Sequence, residues 1–378
     1  MASREKIILI DGSSYFFRAY YAIQRLSNSK GFPTNAVYGF INMLLRVLEV
    51  EKPSKLAICF DTAKPTFRKE FYPEYKANRD APPEDLVVQI PVIQRAVDCF
   101  RIRRLELAGF EADDVIGTVA KKAESEGYDV EIITGDKDLM QLVNKNVTLF
   151  ETMKDKRVDI AGVKEKFGVL PEQVVDVLAL MGDSSDNIPG VTGIGEKTAA
   201  ELINQFGSVE KLYGRLEEIK QPKRREALQK EKDLAFLSYK LATIHCEVPL
   251  NYSWKELEYH GPDKNALRTL CEEMEFHTLI KRLGLGASEE KSAIKRYYTT
   301  VSSEGALNKL TDDIKAAKFI AVDTETTGLV IHDAQLAGIS VSTDTGKSYY
   351  VPVGHHAVGN PEALLPGQLE PEVVRAAL

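Results

Sequence analysis

Four short β-rich runs, at Lys6 to Ile10, Lys55 to Phe60, Arg103 to Leu107 and Asp129 to Ile133, alternate with helical patterns through about the first 160 residues. The alternation predicts an α/β fold, a mostly parallel sheet flanked by helices, because parallel neighbours need a crossover long enough to hold a helix. One crossover is legible: Val37, Phe40, Ile41, Leu44, Leu45 and Leu48 share one stripe of a helical period, and that stripe should face the sheet. Three of the four runs lead into carboxylates. Asp11 follows IILI, Asp61 follows AICF, and Asp136 and Asp138 follow EIIT in TGDKD. Ligands of open α/β sheets bind outside the carboxyl ends of the strands, so these acids are expected to meet in one crevice.

Two further sets can join them. Glu111, Asp113 and Asp114 open a helix in FEADDVIG, and Asp183 and Asp186 share a three-residue spacing in MGDSSDNIPG. Singly, acids at helix starts are as readily caps, and acids after strands as readily turn formers. Together they are harder to explain that way, because two carboxylates at ~4 Å repel by ~4 kcal/mol at an effective dielectric near 20. A cation is needed to hold such a group. Hard divalent ions prefer oxygen ligands, Mg²⁺ suits an open acid-rich crevice, and two ions ~3.5 to 4 Å apart suit phosphodiester cleavage. None of the six histidines lies in these motifs, which disfavours zinc.

Residues 64 to 83 break the α/β pattern. They hold four prolines and no sustained apolar face, and read as a projecting loop or arch. Lys64, Arg68, Lys69, Lys76 and Arg79 alternate there with Phe67, Phe71, Tyr72 and Tyr75. Cations reach phosphates and aromatic rings stack on unpaired bases, so the segment is either a single-strand contact or a solvated loop anchored by its rings. A glycine turn, GVTGIGEKT at Gly190 to Thr198, leads into a helix start and could present backbone N–H groups to a phosphate. Glu196 breaks the P-loop pattern ahead of Lys197, so an ATPase is not expected.

From Pro171 the strand signals stop and short helices follow, through Glu201 to Phe206, Arg224 to Tyr239 and Asp263 to Leu283. The expected domains are an α/β core at 1–170 with the arch at 64–85, a helical subdomain at 171–283, a linker at 284–298 and a further segment at 299–378. Strand-like runs return in that last segment at Phe319 to Val322, Leu336 to Ser342 and Ser348 to Val353. The length of 378 residues suits two or three domains, and 44% apolar with 28% charged residues excludes a disordered or collagen-like chain. No apolar run approaches bilayer length, so a cytoplasmic protein with no membrane partner is expected. Cys59, Cys99, Cys246 and Cys271 lie far apart and read as reduced core residues. A net charge of −7 and a pI near 5.6 argue, taken alone, against a nucleic-acid partner. Setting aside nine acids held by cations makes residues 1–286 positive overall, and that objection lapses.

The strings LIDGSSYFFRAYYA, AICFDTAKPTFRKEFYPEYKANR, GFEADDVIGT, TGDKDLMQLV and LMGDSSDNIPGVTGIGEKTA stand in one order over residues 1 to about 285. In this the chain resembles the 5′ nuclease domains of the bacterial DNA polymerase I family, within the flap endonucleases. The resemblance implies a PIN-like α/β fold with a helix–two-turn–helix subdomain and makes Asp11, Asp61, Glu111, Asp113, Asp114, Asp136, Asp138, Asp183 and Asp186 the metal-binding acids. It implies Lys76 and Arg79 as catalytic cations of the arch, and Arg18, Arg68, Tyr75, Gly190, Gly193, Gly195 and Lys197 as DNA contacts. The implied cofactors are two or more Mg²⁺ ions, with Mn²⁺ as a substitute, and K⁺ at the glycine turn. The implied partners are DNA with 5′ flaps, nicks or RNA–DNA primer junctions, met by a monomer.

The last segment resembles the 3′-to-5′ exonuclease domain of the same polymerases through FIAVDTETTGL, where Asp323 and Glu325 would begin a second metal site. The later aspartates of that family have no counterpart before Leu378, so an incomplete, inactive and marginally folded domain is expected. Two other functions fit parts of the pattern. A Mg²⁺ phosphohydrolase of small esters would use the acids but leave the arch and glycine turn without a role, and a non-catalytic DNA-binding module would not need nine acids.

Overall fold

The computed structural model describes residues 4–285, 297–328, 333–344, 346–357 and 360–378. The chain divides into two compact units, residues 1–285 and 286–378. Most of the linker predicted at 284–298 lies outside the described residues.

In the first unit, β1 (Lys6–Asp11) leads directly into α1 (Gly12–Ala22), followed by α2 (Asn35–Glu51) and β2 (Lys55–Cys59). The short helices α3 (Arg68–Phe71) and α4 (Glu84–Val87) precede α5 (Ile90–Cys99), β3 (Arg103–Leu105), α6 (Ala112–Ser125) and β4 (Asp129–Ile133). Then come β5 (Val147–Glu151), β6 (Lys156–Val158), α7 (Ile160–Phe167) and α8 (Val174–Met181). The unit closes with α9 (Glu196–Phe206), α10 (Val209–Tyr213), α11 (Pro222–Lys230), α12 (Lys232–Ala242), α13 (Lys264–Glu273) and α14 (His277–Arg282).

The sheet order is β3-β2-β1-β4-β5-β6, parallel except for β6. Chain order reverses between β1 and β4, which opens a crevice at their carboxyl ends. β1 is buried from Ile7 onward and alternates between two cores. Ile8 and Ile10 face Tyr15, Phe40 and Leu44, while Ile7 and Leu9 face Val115 and Val119 of α6. At roughly 1.5 to 3 kcal/mol for each fully buried large aliphatic side chain, this double burial anchors β1 from both faces. The stripe on α2 is buried from Val37 through Leu45, as its period predicts.

Three expectations need correction. The sequence signals did not mark β5 and β6, which extend the sheet beyond β4. Leu267, Leu270, Phe276 and Leu279 of α13 and α14 pack with Phe40 and Ile93 on the sheet's first face, so these helices cover the α/β core and do not extend the helical subdomain. Residues 64–83 do not project freely. Their amide at Phe67 donates to Gly109 O at 2.9 Å, that of Lys76 to Asp186 O at 2.9 Å, and Arg68 and Tyr75 are buried. The segment is a strap laid across the start of α6.

The second unit contains β7 (Tyr297–Thr300), α15 (Glu304–Ala316), β8 (Ala321–Thr326), β9 (Leu336–Asp344), β10 (Lys347–Pro352) and α16 (Pro371–Ala377). Its main sheet runs β7-β10-β9-β8. Val301, Leu307, Leu310, Val341, Tyr349, Val351, Val353 and Val374 form a small core under the two helices. The strand expected from Phe319 begins two residues later, leaving Phe319 82% exposed.

Candidate active site

The carboxyl ends of β1, β2 and β4 and the start of α6 bring four acids toward one another. Asp11 closes β1 and caps α1, accepting the Ser14 amide and the Thr134 hydroxyl, each at 2.9 Å. Asp61 accepts the Ala112 amide at 2.8 Å, which ties the end of β2 to α6. Asp136 accepts the amide of Asp138 at 2.9 Å, so the TGDKD turn folds on its own acid. Burial pushes the Asp11 carboxyl up to about 7, with Asp61 and Asp136 adding to the rise. Asp113 is driven well above the usual carboxylate range by burial, then by Asp136 and Asp11.

A second set stands beside the first. Burial, then Asp136, raises Asp138 to about 7, with Asp183 and Asp186 also contributing against the lowering effect of Lys137. Asp183 and Asp186 sit on a loop closed by Gly182 and Gly190, whose φ values are +70° and +64°. A Cβ on Gly190 would come within 2.4 Å of the Gly182 nitrogen, so only glycine lets the two ends of the loop meet. The loop is pinned by reciprocal amide bonds between Asp183 and Ile188.

Cations from the same chain occupy this second set. Lys76 lies 2.5 Å from Glu111 and 3.5 Å from Asp186, and Arg79 pairs with Asp186. Lys137 pairs with Asp183 and stands 3.3 Å from Asp138. Although burial opposes it, the Lys137 ammonium holds Asp183 below its ordinary range. Lys137 was not selected from the sequence, although its place between Asp136 and Asp138 in TGDKD was a usable signal. Among the described residues no three His, Cys, Asp or Glu side chains form a ready-made metal cage. The donors present are nevertheless all carboxylates, and burial with neighbouring carboxylates disfavours the charged form of Asp11 and Asp113, which among the described residues form no ion pair. That chemistry fits hard divalent cations.

Several expected site residues have other work. Asp114 is fully buried and accepts two bonds from Arg68 at 2.8 Å, the Glu111 amide at 3.0 Å and the His245 amide at 2.8 Å. Its oxygens are spent, so it is a structural acid and not a metal ligand. Arg68 also donates to the carbonyls of Leu241 and Thr243, and is a clamp between strap, α6 and α12, not a DNA contact. Tyr75 is 2% exposed and cannot stack on a base; its hydroxyl donates to Glu111 at 3.0 Å and Asp186 at 3.2 Å. The buried Gly190 amide is taken by Ser238 Oγ, so it presents nothing to a phosphate.

Gly193 and Gly195 are open to solvent at the start of α9, with Lys197 exposed one turn on. Arg18 pairs with Glu151 at 3.3 Å and crosses the face of Gly135, where a Cβ would collide with its guanidinium. In the second unit Asp323 and Glu325 lie on the exposed edge strand β8, and among the described residues neither forms an ion pair.

This arrangement of sheet and helices recurs in solved nucleases. The fold matches a structure titled "Crystal Structure of T5 D15 Protein Co-crystallized with Metal Ions" at TM-score 0.55 and 22% identity, over 72% of this chain and 99% of that one. It also matches "The catalytic core of Rad2 in complex with DNA substrate (complex III)" at 0.53 and 16%, over 75% and 91%. That likeness is one of fold, an α/β sheet with a crevice at the carboxyl ends of its strands. The chain belongs to the 5′-3′ exonuclease family: its N-terminal resolvase-like domain model matches residues 6–168 and its C-terminal SAM-fold model residues 169–265. Curated relatives include DNA polymerase I of Bacillus caldotenax, 41% identical over 92% of this chain, and that of Caldicellulosiruptor bescii, 46% identical over 74%. The chain spans about 40% of the length of the first of these and 34% of the second.

Proposed function

We propose that the chain is a Mg²⁺-dependent 5′-to-3′ exonuclease and 5′-flap endonuclease hydrolysing DNA phosphodiesters, as the N-terminal part of a DNA polymerase I acting in replication and repair. The observation that carries this is the convergence of Asp11, Asp61, Asp113 and Asp136 at the switch point of the sheet, where among the described residues none of the four forms an ion pair.

Bound divalent cations would supply Lewis acidity toward the phosphate and lower the pKa of a water so that hydroxide is available as the nucleophile. Asp11, Asp61, Asp113, Asp136 and Asp138 would hold them, with Glu111, Asp183 and Asp186 completing the set. Tyr75 orients Glu111 and Asp186 through its two hydrogen bonds. Lys76 and Arg79 stand within reach of the same acids and would donate to the non-bridging oxygens as negative charge grows on them. Gly193, Gly195 and Lys197 offer the start of α9 to the backbone of the flanking duplex, where exposed amides and the helix dipole favour a phosphate. The strap lies over the acids and would screen them from continuous duplex. Among the described residues no helix is long and apolar enough to cross a membrane.

The test is incubation with a labelled 5′-flap duplex, with Mg²⁺ and with chelator. Scission at the flap junction that requires the metal is expected. Binding without metal-dependent scission, or turnover of a mononucleotide with no preference for branched DNA, would sink the reading.

A further inference from the structure

The acids form two sets that differ in what neutralises them. Asp11, Asp61 and Asp136 receive only amide and hydroxyl donors, and among the described residues neither they nor Asp113 forms an ion pair. Glu111, Asp138, Asp183 and Asp186 face Lys76, Arg79 and Lys137. Lys76 and Arg79 reach their acids from the strap, but Lys137 comes from the acid-bearing turn itself and bridges Asp138 of that turn to Asp183 of the glycine-closed loop. An ammonium is a compact point charge with three donors and no acceptor. It cannot share two carboxylates with a divalent ion, because the two positive charges would repel at contact distance. Its four-carbon stem is flexible, and the side chain is one-third exposed, so it has somewhere to go.

We infer that the Lys137 ammonium is the resident counter-ion of Asp138 and Asp183 and is displaced when a divalent cation takes those carboxylates, so that Lys137 sets the affinity of the second acid set and not of the first. This rests on the reading that the acids hold divalent ions. It makes Lys137 a positioning residue: it keeps the turn and the loop together while no cation is bound, and it makes occupation of the second set an exchange, where occupation of the first is a plain addition.

The test is calorimetric titration of the full chain with Ca²⁺, without DNA, for the wild type, Lys137→Met and Lys137→Arg. In the wild type two steps of different affinity are expected. Lys137→Met should tighten the weaker step at least about tenfold, the scale of one charge-assisted hydrogen bond, and leave the tighter step within about twofold. Lys137→Arg keeps the competing charge and should not tighten it. In parallel, Lys137→Met should lower the thermal midpoint without divalent ions and show a larger upward shift than the wild type when Ca²⁺ is added. A merely structural ion pair would lower the midpoint while leaving both Ca²⁺ steps unchanged, and that result overturns the inference. Should Lys137→Met not fold, Lys137→Gln serves by the same criteria. If the wild type takes up no Ca²⁺ at all, the divalent-ion reading itself falls, and this inference with it.

Discussion

Asp11 ends β1, a strand hydrogen-bonded on both edges and buried from Ile7 onward, whereas Asp323 and Glu325 lie on β8, which among the described residues pairs with β9 alone and is exposed along its whole length. Both strands carry acids that a sequence reading associates with metal. Only the first places them where burial and neighbouring carboxylates raise the cost of negative charge. The acids of β8 are exposed to water. The two pairs of surroundings differ: Asp11 stands on a central strand at a switch point with further acids delivered by α6 and by the loop at 183–188, and Asp323 and Glu325 stand on an exposed edge.

Asp138→Ala should lower flap cleavage on the order of 10² to 10³-fold while changing DNA affinity far less, measured by single-turnover cleavage beside a binding titration. Equal losses in both would contradict a metal role. Asp114→Asn tests the distinction within the acids themselves. It should cost about 3 to 5 kcal/mol of stability by leaving Arg68 buried without its charge partner, read as a fall in the denaturant midpoint. A stable Asp114→Asn protein with abolished cleavage would return Asp114 to the metal ligands.

Lys76→Ala should slow single-turnover cleavage by about 10 to 100-fold with the fold intact, since it removes one charge-assisted donor. An unchanged rate would make it a bystander. Lys197→Ala should weaken duplex binding only a few-fold and reduce the slope of log affinity against log salt by about 1. At the bottom of the scale, Asp323→Ala with Glu325→Ala should leave flap cleavage unchanged. A loss would show that the exposed strand contributes to the chemistry after all.

Strands β1, β2 and β4 and the buried stripe of α2 were legible because their signals are local: apolar runs, a helical period, an acid after the run. β5 and β6 were not, since a short run such as VTLFE carries little that separates strand from loop until β4 offers it an edge. Arg68 misled for a different reason. Its neighbours in sequence are basic and aromatic, yet its fate is set by Asp114 and by the Leu241 carbonyl, 173 residues away. Tyr75 is the same case, a ring that composition assigns to a surface and two distant acids draw inside. Lys137 escaped notice because a lysine between two aspartates reads as ordinary charge alternation until the loop at 183–188 supplies its second partner, Asp183.

Asp183 and Asp186 hang from Gly182 and Gly190, the Gly190 amide is clipped to Ser238 on α12, and the open turn at Gly193 and Gly195 follows within a few residues. If Gly193 and Gly195 hold duplex as proposed, that hold and the two acids ride on one piece of chain. Such a piece would work as a caliper: the offset between the held phosphate and the cut would be written into covalent geometry, and lengthening the loop should move the cut along the strand.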